Sequence, residues 1–215
     1  MDTDMKTNAL RITLAVLVAI LAVIVWTANC ADSADPNSSD LHERLAAISQ
    51  LDGRTDAESL NTLTKLAGDS EIRVAKSAIR MMGGRKDQAA RQKLLHIVEN
   101  SEVGDIRGTA AAELGNFKKT DSGLLTAMLL DDKDPKARAG AAKGLRRLHD
   151  HASKEALIKA LGDRDAETRL NAHEALGALT GRWFKFDAYA SEKIRTAQIA
   201  AIMKMVVRIR NPQGH

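Results

Sequence analysis

The apolar positions divide the chain into two regimes. From Ile12 to Trp26 apolar side chains run unbroken except at Thr13, and the run continues more weakly through Thr27-Ala28-Asn29-Cys30-Ala31. As a helix, positions 12–31 would rise about 30 Å, one hydrocarbon core of a bilayer. Lys6 and Arg11 precede the run, whereas Asp32, Asp35 and Asp40 follow it before the next cation, Arg44. That asymmetry predicts a cytoplasmic N-terminus and an exported remainder. Three arrangements of residues 1–31 fit: an uncleaved anchor, a signal cleaved before Ala31 with Ala28 and Cys30 at its end, or a lipoprotein signal whose modified residue would be Cys30. Residues 32–39 have the Ser, Asp, Asn and Pro composition of a linker.

From Asp40 onward the pattern becomes helical and repeats. An Ala followed four residues later by Leu or Ile recurs at Ala47/Leu51, Ala75/Ile79, Ala110/Leu114, Ala141/Leu145 and Ala172/Leu176. Before these pairs stands an Asp with an Arg four residues on: Asp40/Arg44, Asp69/Arg73, Asp134/Arg138 and Asp165/Arg169. Arg107 holds this place in the third repeat, where Val103 replaces the Asp, and Arg73 is one residue out of register with its Ala. Second helices between these segments are marked by Leu60-Leu63-Leu66, Leu94-Leu95-Ile97-Val98, Leu124-Leu125-Met128-Leu129 and Leu157-Ile158-Leu161. Gly53, Gly83-Gly84, Gly115 and Gly177 are expected to close helices, and Asp69, Asp134 and Asp165 to open them. The reading is an all-α, right-handed solenoid of about five helical pairs over residues 40–181. Residues 182–215 form a closing segment and helix. In such a repeat Ala lets helices approach, Leu fills the space between layers, and the Arg can reach turn carbonyls or acids of the adjacent repeat.

Composition sharpens this picture. Apolar residues make up 44% and aromatics 3%, so small and unbranched side chains fill the core, as helices favour and sheets do not. The single cysteine, Cys30, excludes an intramolecular disulfide framework and a Cys-based zinc cage.

Asp165 to Leu179 (DAETRLNAHEALGAL) and Asp134 to Leu148 (DPKARAGAAKGLRRL) resemble the HEAT-like repeat family, in particular short bacterial repeats grouped with phycobilisome lyases. The resemblance covers about residues 40–181 and implies the fold, since the motif residues are structural. Thr180 to Asp187, with three aromatics, is similar to the segment that closes many such arrays. A last helix over about 191–210 would follow, with Ile199, Ile202, Met203, Val206 and Ile209 on one stripe.

Chemistry is sparse. The His42-Glu43 and His173-Glu174 pairs suggest the di-iron deoxyhypusine hydroxylases, HEAT-like enzymes with a His six residues before each repeat Leu. Here Leu45, Gly108, Ala139 and Leu170 hold those positions, so no metal or other cofactor is expected. No nucleophile elbow, phosphate loop or zinc-protease motif occurs. The chain carries a net charge of +4. Cations in 182–210 (Arg182, Lys185, Lys193, Arg195, Lys204, Arg208, Arg210) outnumber Asp187 and Glu192 by five. Charges nearly cancel within the repeats, which argues against nucleic acid.

The expected function is therefore a non-catalytic, membrane-tethered, extracytoplasmic scaffold that binds another protein. A lyase-like or metal-dependent enzyme and a nucleic-acid binder are the alternatives. The expected binding face is formed by the second helix of each repeat, with Lys76, Arg80, Glu113, Lys143, Arg146, Arg147 and Glu174 pointing outward. The cluster Lys143-Arg146-Arg147 points to an acidic partner segment.

Overall fold

The computed structural model describes residues 34–117 and 121–210, with side chains of the last helix described through 206. The expectations for residues 1–31, Cys30 included, lie outside the described residues. No helix of the described residues is long and apolar enough to cross a membrane. The chain divides into two units, Met1–Gln50 and Leu51–His215.

In the first unit, α1 spans Leu41–Ser49. Asp40 caps it by accepting the His42 N–H at 2.7 Å, and Arg44 ties down the preceding turn by donating to the carbonyls of Ser38 and Ser39. The Asp40 bond satisfies an N–H that the helix start leaves unpaired.

The second unit contains α2 (Ala57–Leu66), α3 (Ile72–Arg85), α4 (Gln88–Asn100), α5 (Gly104–Leu114), α6 (Ser122–Asp131), α7 (Pro135–Leu148), α8 (Lys154–Ala160), α9 (Ala166–Thr180) and α10 (Glu192–Arg210). A short 3-10 turn, His151–Ser153, leads into α8. There is no strand among the described residues. Successive pairs α2/α3, α4/α5, α6/α7 and α8/α9 form four helical hairpins. The helices α3, α5, α7 and α9 stack directly on one another. The described residues thus hold four complete pairs, with α1 and α10 as single helices, where about five pairs are expected.

The repeating Ala and Leu positions form the core. Ala75, Ile79, Ala110, Leu114, Ala141, Leu145, Ala172 and Leu176 are all buried, as are Leu63, Leu94, Leu125 and Leu157 from the first helix of each pair. Glycine brings α5 and α7 close together. A Cβ at Gly140 would lie 2.1 Å from the Gly108 carbonyl oxygen, and one at Gly144 would lie 2.3 Å from that of Ala111. The two backbones meet with no side chain between them.

Several punctuation marks fall elsewhere than expected. Gly83 and Gly84 lie inside α3, which ends at Lys86 in the left-handed region (φ 57°). Gly83 instead leaves room for the Glu113 side chain, which a Cβ would meet at 2.5 Å. Gly177 lies inside α9, where a Cβ would lie 3.3 Å from the Arg182 carbonyl oxygen and 3.4 Å from the Trp183 ring, while Gly181 (φ 66°) closes that helix. Asp134 and Asp165 cap α7 and α9 by accepting N–H bonds. Asp69 accepts from the Glu71 N–H, and Glu71 takes the cap position of α3 with no side-chain bond.

Candidate functional site

Arginines at one repeat position clamp consecutive turns. Arg107 donates through Nη1 to the carbonyls of Ser101 and Glu102, at 2.8 and 3.0 Å. Its Nε and Nη2 engage the Asp132 carboxylate at 2.9 and 2.7 Å. Arg138 repeats the arrangement on the carbonyls of Asp132 and Lys133 and the carboxylate of Asp163. Both arginines are buried, and a planar two-pronged donor suits a carboxylate held in fixed geometry. Arg169 makes the same turn contacts, to Asp163 and Arg164, but its other edge donates to the Ala188 carbonyl. The closing segment therefore takes the place of a next acidic turn. Burial, and then the charge of Arg195, push Arg169 below the usual arginine value.

Arg73 lies outside this ladder and is exposed. In the other repeats the Arg precedes the motif Ala by three residues; Arg73 precedes Ala75 by two, which rotates it about 100° around the helix. The acids that pair across repeats are Asp132 and Asp163, not the capping Asp134 and Asp165. Each also accepts the N–H of the capping Asp two residues on, at 2.8 and 2.7 Å. Burial pushes the Asp132 carboxyl up, but the hydrogen bond from Arg107, the Asp134 N–H and two arginine charges outweigh it. It titrates below the ordinary carboxylate value.

The residues expected to form a binding face lie on α3 (Lys76, Arg80), α5 (Glu113), α7 (Lys143, Arg146, Arg147) and α9 (Glu174). These are the helices carrying the Ala/Leu motif, not those marked by the Leu60, Leu94, Leu124 and Leu157 clusters, so the assignment of the face to the latter helices is corrected. The helices come together along an open polar groove of about 230 Å³, lined among others by Lys76, Arg80, Asp105, Glu113, Lys143 and Arg147. Its charges bridge neighbouring helices. Lys76 donates to both Asp105 oxygens at 2.7 and 2.8 Å, and Lys136 and Lys143 converge on Glu167 at 2.6 and 3.2 Å. Arg147 meets Glu113 at 3.1 Å and the Ala112 carbonyl at 2.6 Å, while Arg146 pairs with Glu174 beside the groove. The Lys143-Arg146-Arg147 cluster is therefore opposed by acids of the same chain. Hydrogen bonding from Lys136, outweighing partial burial, holds Glu167 below the usual carboxylate value. Arg80 lines the groove exposed and without an ion-pair partner among the described residues.

Two other open grooves are more apolar: one of about 710 Å³ lined by Ile158, Met203 and Val206, and one of about 550 Å³ beside Ile97 and Ile106. No group of three His, Cys, Asp or Glu side chains among the described residues is placed to hold a metal ion. His173 is buried and its Nε2 lies 2.9 Å from the Phe184 carbonyl oxygen, fastening the closing segment to α9.

Stacked hairpins sharing one motif define the class: an all-helical repeat solenoid. A family model of HEAT repeats matches residues 34–115 and 123–184, and the chain belongs to the HEAT-repeat family. Among solved structures the chain is similar to a designed armadillo repeat protein, at 17% identity over 66% of this chain and 96% of that one, with a TM-score of 0.28. No curated protein matches.

Proposed function

We propose that this chain is a non-catalytic scaffold, a right-handed array of HEAT-like repeats that binds another protein along the face of α3, α5, α7 and α9. Repeat solenoids build extended surfaces of this kind from stacked units. The observation that carries the reading is the polar groove running across α3, α5, α7 and α9, with charges of both signs in reach of a partner. Its lining cations, Lys76, Arg80, Lys136, Lys143 and Arg147, outnumber Asp105, Glu113 and Glu167. An acidic partner segment fits that excess and would exchange with the ion pairs rather than meet bare cations. The apolar run at 12–31, with cations before it and acids after, supports a membrane tether with the repeats outside the cytoplasm. Kinship with the short bacterial repeats grouped with phycobilisome lyases rests on the two motif segments alone.

The test replaces Lys143, Arg146 and Arg147 together by Ser in the full chain, with helicity checked by circular dichroism. Proteins that copurify with the unaltered chain from native membranes should be captured more weakly and with a shallower salt dependence. Capture with unchanged strength and salt response means that this face is not the binding surface.

A further inference from the structure

Residues 182–206 combine exposed large apolar side chains with exposed cations. Among the described residues seven large apolar side chains are exposed, and five of them (Trp183, Tyr189, Ile194, Met203 and Met205) lie in this stretch. Trp183 and Tyr189 are 76% and 73% exposed, well beyond the half-covered state usual for such rings. Cations accompany them. Arg182, Lys185, Lys193 and Lys204 are exposed and have no acidic partner among the described residues, unlike the paired cations of the groove.

Helix geometry arranges part of this set. On α10, Ile202 and Val206 are buried and fix the inward side. Lys193 and Lys204, eleven residues apart, fall within about 20° of each other and opposite that side. Ile194 and Met205 form a parallel line about 100° away, on the flank of the cationic stripe. Tyr189 lies just before the helix and Trp183 in the irregular segment leading to it. Cations outward, aliphatic and sulfur side chains on the flank, and two amphipathic aromatic rings nearby is the composition of a lipid headgroup interface.

We propose that this C-terminal surface binds the headgroup layer of an anionic bilayer. Bare lysines and arginines meet the negative surface potential while Trp183 and Tyr189 settle at headgroup level. A soluble acidic protein would also satisfy the cations, and Trp and Tyr occur at protein interfaces as well. The headgroup layer is favoured by the order of the surface, a cation stripe flanked by aliphatic side chains with two rings, apolar at one end and polar at the other, at its edge. The inference stands on residues 182–206 and does not depend on the groove being a protein-binding face.

The experiment uses the full chain carrying Trp26→Phe, so that Trp183 is its single tryptophan, reconstituted into vesicles with brominated acyl chains. One set is pure phosphatidylcholine; the other is equal parts phosphatidylcholine and phosphatidylglycerol. Trp183 emission should be quenched in the anionic vesicles alone and recover as salt is added. Each of Arg182, Lys185, Lys193 and Lys204 changed to Gln should lower the ratio of quenched to unquenched Trp183 about five-fold, since a basic residue near such a surface contributes about 1 kcal/mol. Because all four are exposed, the fold is not at stake in these variants. Equal quenching in both vesicle types, or none in either, overturns the proposal; in the latter case a protein remains as the partner of this surface.

Discussion

A single methyl group at the crossing of α5 and α7 tests the helical stacking on which the proposed binding face depends. In an open helix Gly→Ala stabilises by about 1 kcal/mol, because glycine loses more backbone freedom on folding. At Gly140 the new Cβ would lie 2.1 Å from the Gly108 carbonyl oxygen and 2.4 Å from its Cα. Both are backbone atoms, so no rotamer change relieves the overlap and the helices must move apart by more than 1 Å. A gap of that order forfeits roughly a quarter to a half of each dispersion contact along the seam. Overpacking of this kind costs about 1–3 kcal/mol and more where backbone blocks relaxation. After the propensity gain, a net loss of about 2 kcal/mol is expected, which lowers the melting temperature of a chain this size by about 4–8 °C. Gly84, inside α3 with nothing within 4 Å of its Cβ position, is the control. Gly84→Ala should raise the melting temperature by about 2–4 °C. The assay is thermal unfolding of the full chain in detergent, followed by helical circular dichroism. If Gly140→Ala melts at or above the temperature of the unaltered chain, the close approach of α5 and α7 is refuted.

Three other outcomes follow from the same geometry. Arg138→Lys should destabilise nearly as much as Arg138→Ala, by about 3 kcal/mol in denaturant melts, because an ammonium cannot span two turn carbonyls and both oxygens of Asp163. Asp132 titrates below its unfolded value of about 3.9, so its contribution is present above about pH 4 and is lost as pH falls through the lower folded value. Asp132→Asn should therefore be less stable than the unaltered chain at pH 7, with the gap narrowing progressively in melts as pH is lowered below about 4. For the proposed tether, a reporter that works only outside the cytoplasm, fused after His215, should be active; activity of a cytoplasm-only reporter there would contradict the topology.

Much of this architecture was legible because it depends on period. The Ala-to-Leu spacing of four and its recurrence at about 31 residues place buried positions on one helical face, and Ala110, Leu114, Ala141 and Leu145 are buried as that spacing requires. Features set by contacts between repeats were harder to read. Gly83 and Gly177 resemble helix stops in sequence, yet both lie inside helices, and Gly83 makes space for the Glu113 side chain of another repeat. A signal for the acids that receive the arginines was present in Asp132-Lys133-Asp134 and Asp163-Arg164-Asp165, the same pattern 31 residues apart. Only the second Asp of each has a role within its own helix. The first works across 25 residues, from Arg107 to Asp132 and from Arg138 to Asp163. Outward-pointing charges on α7 were legible too, but their neutralisation was not, because Glu113, Glu167 and Glu174 belong to other repeats.

The most direct test of the scaffold reading is site-specific photocrosslinking of the full chain in its native cells. A photoreactive residue replaces Arg80, exposed in the polar groove, or, as the comparison, Lys93 on α4, in the layer of first helices. The account predicts a discrete protein adduct from position 80 that is absent from position 93 and weakens when Lys143, Arg146 and Arg147 are changed to Ser. An adduct from position 93 with none from position 80 would contradict it.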